Sequence, residues 1–225
     1  MEGSFTGVED LRKKCINIAE ASSEARQFVN RAMESSRVHY PNEVEEAVND
    51  MVQAYVDAEL AYSQAAANAY SETVYLKNFA RYFEARAREL NFFRAQMMRY
   101  QAERGGHIEM PAQRTTQYTF KAAKSAKEMT EVMKQFVEIE KNLEEKWQKF
   151  YEVATEMKDA MSAHYAEHYL VKHQSRQYAK MVRFMNSLEQ SACAFFFDTT
   201  MMREEADEKE EEDECDFFEP TTEQN

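Results

Sequence analysis

The chain has 225 residues, of which 44% are hydrophobic and 12% aromatic, enough apolar material for a folded core despite a net charge of −13. It holds only 4 Gly and 3 Pro, with no Gly from 8 to 104 or after Gly106. A β-rich fold needs many positive-φ turns and a phosphate-cradling loop needs spaced glycines, so both classes are excluded.

The charge is concentrated at one end. Residues 203–225 carry twelve acids against Arg203 and Lys209, a net −10 that leaves −3 of the total −13 for the first 202 residues. A polyanionic end on a nearly balanced body speaks against nucleic-acid and anionic-membrane partners. Cys15, Cys193 and Cys215 are odd in number and widely spaced, which suits reduced thiols in the cytosol. No apolar run approaches the ~20 residues of a membrane span, and the start Met-Glu-Gly-Ser shows no basic-then-apolar leader.

Apolar residues recur every three to four positions along most of the chain, which predicts helices with one buried face. Leu11, Cys15, Ile18, Ala21, Ala25, Val29 and Ala32 trace a first stripe within residues 1–40. An amphipathic helix of that length needs a surface to pack on, its own bundle or a neighbour. Pro41-Asn42 restarts the chain, with Asn42 the expected cap of a helix over 42–70 carrying Val44, Val48, Met51, Tyr55, Ala58 and Tyr62. A helix over 74–104 stops at Gly105-Gly106, since Gly tolerates the left-handed residue that ends helices. Helices over 120–156 and 159–190 follow, then a short apolar piece within 192–202 and the acidic tail 203–225. Four long rods bury their stripes most simply as an all-α four-helix bundle over 41–202, and the long loop after the second rod predicts a crossover connection.

Particular residues then carry a resemblance. The run Leu76-Lys77-Asn78-Phe79-Ala80-Arg81-Tyr82-Phe83 and the close Glu103-Arg104-Gly105-Gly106-His107 resemble the second helix of ferritins. Ile139-Glu140-Lys141-Asn142 is similar to their third helix, His168-Tyr169-Leu170 to the fourth, and Phe195-Phe196-Phe197-Asp198 to the short fifth. Order and spacing agree over roughly 42–200, with about five extra residues in the crossover loop.

The resemblance implies a place for iron chemistry and how this chain departs from it. Catalytic subunits of that family hold two irons with carboxylates and an imidazole from facing helices, the core being a helical Glu-x-x-His. Those two positions are Leu90 and Phe93 here, and the first-helix carboxylate position is Tyr55. Glu140 fits the catalytic pattern, with Glu89 and Tyr62 beside it, while the fourth-helix glutamine position falls at His173 or Gln174. Glu140, Glu89 and His173 are therefore the candidate ligands of one residual metal, with burial of Glu neutralised by Tyr or Lys partners as an equally simple alternative.

A bundle centre closed by non-ligand residues is similar to the light-chain type of ferritin subunit, which is not an enzyme. The light-chain cluster that seeds ferric mineral from the cavity face of the second helix maps to Arg81, Glu84, Ala85 and Arg88, and the acidic iron funnel maps near Ala163, Ala166 and Glu167. Glu84 and the tail acids Glu208, Glu210, Glu211 and Glu212 are the candidate nucleation residues. The tail could equally fill the cavity, or lie outside the shell as a solubilising segment. Phe195, Phe196 and Phe197 are expected at an assembly axis. The resemblance thus implies a non-catalytic cytoplasmic subunit in a closed shell of about 24 chains, homomeric or mixed with catalytic ferritin chains. Its cargo would be iron as stored mineral, with no organic cofactor, nucleic acid or membrane involved. The alternative is a ferritin-derived shell or chaperone-like storage protein that holds little iron.

Overall fold

The structure, a computed structural model, describes residues 36–109 and 123–216, with side chains as far as Lys209. The stripe expected from Leu11 to Ala32 and Phe120 itself lie outside those residues, but the helix expected over 120–156 begins only at Met129, after a bend and a 3-10 turn at 124–128. The chain divides into two units, Met1–Val38 and His39–Asn225, and all the helices below belong to the second. They are α1 (Asn42–Ala69), α2 (Lys77–Glu103), α3 (Met129–Glu156), α4 (Ala160–Tyr169), α5 (Ser175–Gln190), α6 (Ala194–Phe197) and α7 (Arg203–Asp216). A 3-10 turn, Ala126–Glu128, leads into α3; one π turn, Leu170–Gln174, joins α4 to α5, and a second, Asp198–Met202, joins α6 to α7. The described residues contain helices and turns without strands.

The helix limits follow from local chemistry and correct several expectations. Pro41, extended at φ −64° and ψ 153°, takes the cap position of α1 in place of Asn42, and Glu43 and Glu45 lie in the first turn, where the helix dipole favours negative charge. α2 begins at Lys77, not at Val74, because Tyr75 adopts φ 41° and breaks the helical path. It ends as expected at the glycine pair. Gly105 takes φ 74°, and a Cβ on Gly106 would stand 2.8 Å from the Tyr40 ring, so both positions need the missing side chain.

α1 and α2 are antiparallel neighbours, with Gln101 near the end of α2 donating to the Glu45 carbonyl near the start of α1 at 3.3 Å. α3 runs against α1, pairing Tyr62 with Phe136 and Tyr55 with Trp147. α4 and α5 run against α2, as Tyr100 with Tyr165 and Tyr82 with Phe184 show. α2 and α3 lie across the bundle in the same direction, so the connection between them is a crossover. The stripe read from Val44 to Tyr62 is buried throughout, as are Phe79, Phe83, Leu90, Met97, Phe136, Trp147 and Phe150. Each such side chain contributes roughly 1.5–3 kcal/mol by leaving water.

The end of the chain departs most from expectation. α7 is not a free tail from residue 203: Met202 and Ala206 are fully buried, and Phe197 is stacked on Phe79 at 5.9 Å. Asp198 explains the docking. α2 has no side-chain cap of its own, and the Asp198 Oδ1 accepts the Phe79 backbone N–H at 2.8 Å, with Asn78 donating to its carbonyl at 3.0 Å. Burial raises the Asp198 pKa, while the Phe79 and Asn78 donors offset part of that effect. A distant residue thus caps the second helix and fixes α6 and α7 beside it.

Candidate functional site

The apolar stripe of α2 runs Phe79, Phe83, Arg86, Leu90, Phe93, Met97, alternately four and three residues apart. Its third member is charged. Arg86 is 1% exposed and reaches across the bundle to Glu140 of α3, which is fully buried. The contact is bidentate: Nε donates to Oε1 at 2.9 Å and Nη2 to Oε2 at 2.8 Å. Tyr62 donates to Oε1 at 2.7 Å, and Gln174 Nε2 to Oε2 at 2.9 Å and to the Glu140 carbonyl at 3.0 Å. Both carboxylate oxygens are therefore saturated by donors.

A second ion pair extends the first. Arg86 Nη1 lies 2.8 Å from Glu89 Oε2, and the same oxygen accepts from Lys209 Nζ of α7 at 2.5 Å. Acids and cations alternate as Glu140, Arg86, Glu89, Lys209. Burial alone would raise the Glu89 carboxyl, but Arg86 and Lys209 outweigh it and hold the pKa at about 2. Burial likewise opposes the Arg86 charge, and Glu140 and Glu89 more than offset it. Tyr62 is pushed far up by burial and by Glu140, so it keeps its proton and donates it in a hydrogen bond to Glu140. Lys209 also sits 5.9 Å from the Tyr82 ring centre, and Gln177 donates to the Tyr82 hydroxyl at 2.9 Å.

The expected ligand positions form an apolar wall beside this chain of charges. Leu90 is fully buried and Phe93 is 8% exposed. Tyr55 accepts from Trp147 Nε1 at 2.9 Å, and Phe93 packs on Tyr169 and His173 at 5.5 and 5.1 Å. The choice between His173 and Gln174 is made by the π turn. Its wider turn aims Gln174 inward at Glu140 and leaves His173 on the exposed side, in a ring cluster with Tyr169 and His168. Glu140 and Glu89 are thus brought together by a guanidinium, and it is Gln174 that completes the shell of Glu140. Two irons need several free carboxylate oxygens and open positions, and this donor set does not fit them. Among the described residues no three His, Cys, Asp or Glu side chains converge as a metal group.

The other candidates are spread out. Glu84 is exposed, 3.5 Å from the Tyr70 hydroxyl; Arg81 pairs with Asp207 at 2.7 Å, and Ala85 is buried. Glu208 is exposed, and Glu210, Glu211 and Glu212 follow it on the α7 backbone. Phe195 and Phe196 are each 60% exposed, whereas Phe197 is 2% exposed and belongs to the core, which removes it from any assembly surface. Ala166 is buried, and Glu167 and His164 line an open groove of about 370 Å³ with Lys158 and Asp159. Arg86 and Lys209 were not among the candidates. A charged residue inside an apolar heptad stripe was the available signal for Arg86, because it demands a buried partner.

The family model described as a ferritin-like domain matches residues 45–191, more than half of the chain. A chloroplastic ferritin of Phaseolus vulgaris is 25% identical over 153 residues, covering 68% of this chain. The aligned stretch spans 60% of that relative's own length.

Proposed function

This chain belongs to the ferritin family, and from that premise we propose that it is a non-catalytic subunit of an iron-storage shell. The observation that carries the reading is the bidentate, fully buried Arg86–Glu140 pair. A guanidinium brings five donors and a fixed positive charge. Placed against Glu140 and Glu89, it neutralises the carboxylates that a metal would otherwise use and fills the space with groups that cannot ligate. Leu90 and Phe93 then stabilise the closed centre by burial instead of coordination. The subunit folds around its own cation and leaves oxidation of Fe(II), the substrate, to catalytic chains in the same closed shell of about 24 subunits. Glu84 and Glu208 are the exposed carboxylates offered for seeding mineral, and Phe195 with Phe196 is the assembly surface. The cytosol is the compartment that suits Cys193, an exposed free thiol. Among the described residues no helix is long and apolar enough to cross a membrane.

A specific observation also favours a shell that holds little iron. On the side of α2 that seeds mineral in light chains, Arg81 is spent on Asp207 and Lys209 on Glu89, so α7 occupies ground where carboxylates are expected.

Oxygen-dependent Fe(II) oxidation separates these readings from an active enzyme. The natural chain and the Leu90→Glu/Phe93→His variant are expected to be inactive, and activity is expected once Arg86→Gln is added. Activity in the natural chain would refute the proposal. Equal activity with and without Arg86→Gln would show that Arg86 does not close the centre. Iron per particle, after loading alone and beside a catalytic ferritin subunit, then decides storage: mineral only with the partner supports it, and an empty shell in both cases supports the second reading.

A further inference from the structure

The chain is strongly acidic, yet one groove on its surface is basic. Between α5 and α7 lies a cavity of about 540 Å³ whose lining includes Lys172, Arg176, Lys180, Arg183, Lys209 and Glu89. Lys180 pairs with Glu205 at 2.6 Å and Lys209 with Glu89 at 2.5 Å. Lys172, Arg176 and Arg183 are exposed and make no ion pair among the described residues. Arg176, Lys180 and Arg183 fall on one face of α5 and Lys172 of the π turn lines the same groove, so the groove carries a continuous positive stripe. Its acidic residue, Glu89, already faces Arg86 and Lys209.

The direction of α7 says what is delivered there. α7 follows α2 from the Asp198 anchor to Lys209 beside Glu89, and α2 is antiparallel to α5. α7 is therefore antiparallel to α5, in a register fixed by the Lys180–Glu205 pair. At ~1.5 Å per residue on both helices, Arg176 stands abreast of position 209, and Lys172, in the π turn before α5, lies about one turn farther on, level with the residues after 209. The residues that follow are Glu210, Glu211, Glu212, Asp213, Glu214 and Asp216, the densest acidic run in the sequence.

We infer that this groove is an anion-binding face whose occupant is the chain's own acidic run, residues 210–216, which the register brings level with Arg176 and Lys172. The stripe meets carboxylates at a spacing the observed pair already sets, tethered at high effective concentration. The run then serves as a fixed counter-charge that holds α7 over the groove. It is not a loose polyanion that gathers metal. This holds whether or not the shell stores iron.

Backbone hydrogen exchange of the assembled full-length protein tests the assignment, read at 205–216 with α3 as internal reference. Lys172→Glu/Arg176→Glu is expected to speed exchange over 210–216 by about tenfold or more and to leave α3 unchanged. Adding Glu212→Lys/Asp216→Lys to that variant reverses the charges and is expected to restore protection, which a misfolded α7 would not allow. Titration with inorganic pyrophosphate at low salt identifies the occupant. The natural chain is expected not to bind, and Glu212→Gln/Asp213→Asn/Asp216→Asn is expected to bind. Unchanged exchange in the Lys172→Glu/Arg176→Glu variant would overturn the inference. So would equal pyrophosphate binding by the natural and neutralised chains, which would give the groove to a free anion.

Discussion

Replacing Arg86 by Met should destabilise the protein through the carboxylate it leaves behind. Glu140 is fully buried, and only Tyr62 and Gln174 would still donate to it once both guanidinium bonds are gone. Breaking a buried pair by removing one partner costs about 3–5 kcal/mol. At roughly 2–4 °C per kcal/mol for a domain of this size, Tm should fall by about 6–20 °C. The double variant Arg86→Met/Glu140→Gln removes the stranded charge and keeps one amide oxygen for Gln174, while its NH2 group can donate to the Tyr62 hydroxyl oxygen, so it should regain most of the loss. Thermal unfolding followed by circular dichroism at pH 7 reads both. A drop of less than about 3 °C in the single variant would show that the pair is not the neutralising element we describe. A double variant no better than the single would refute the charge argument and leave lost packing as the cause.

Asp198→Ala should cost about 1–2 kcal/mol through loss of the α2 cap. The same change should speed hydrogen exchange at Phe79 and across α7, because one carboxylate anchors both. The depressed Glu89 pKa makes stability sensitive to acid: its contribution, on the order of 3 kcal/mol, is present above pH ~4.5 and lost as pH falls toward 2. Urea unfolding from pH 6 to pH 3 measures this, and Lys209→Met should flatten the dependence by removing one of the two cations. Phe195→Ser/Phe196→Ser should reduce particle size on size exclusion with little change in Tm. Phe197→Ala should lower stability by about 3–5 kcal/mol as a core truncation.

Much of the architecture was written locally. The stripe from Val44 to Tyr62, the stop at Gly105-Gly106 and the exclusion of strands depend on spacing within a few turns and on glycine's backbone freedom, so the sequence alone determined them. That the two expected ligand positions offer no ligand atoms was also legible, since Leu90 and Phe93 are hydrocarbon whatever their surroundings. What packed against what was not legible. Arg86 finds Glu140 54 positions away, across the bundle, and that meeting depends on the crossover that lays α2 and α3 in the same direction. The choice of Gln174 over His173 turned on one π turn, a register change that apolar spacing does not reveal. The acidic segment 203–225 read as a tail separate from the bundle, whether inside or outside a shell, because its composition is polar. Only the tertiary structure showed Asp198 capping a helix 119 positions away and Lys209 entering the charge chain, because a long-range partner, not local propensity, decides where a polar segment comes to rest.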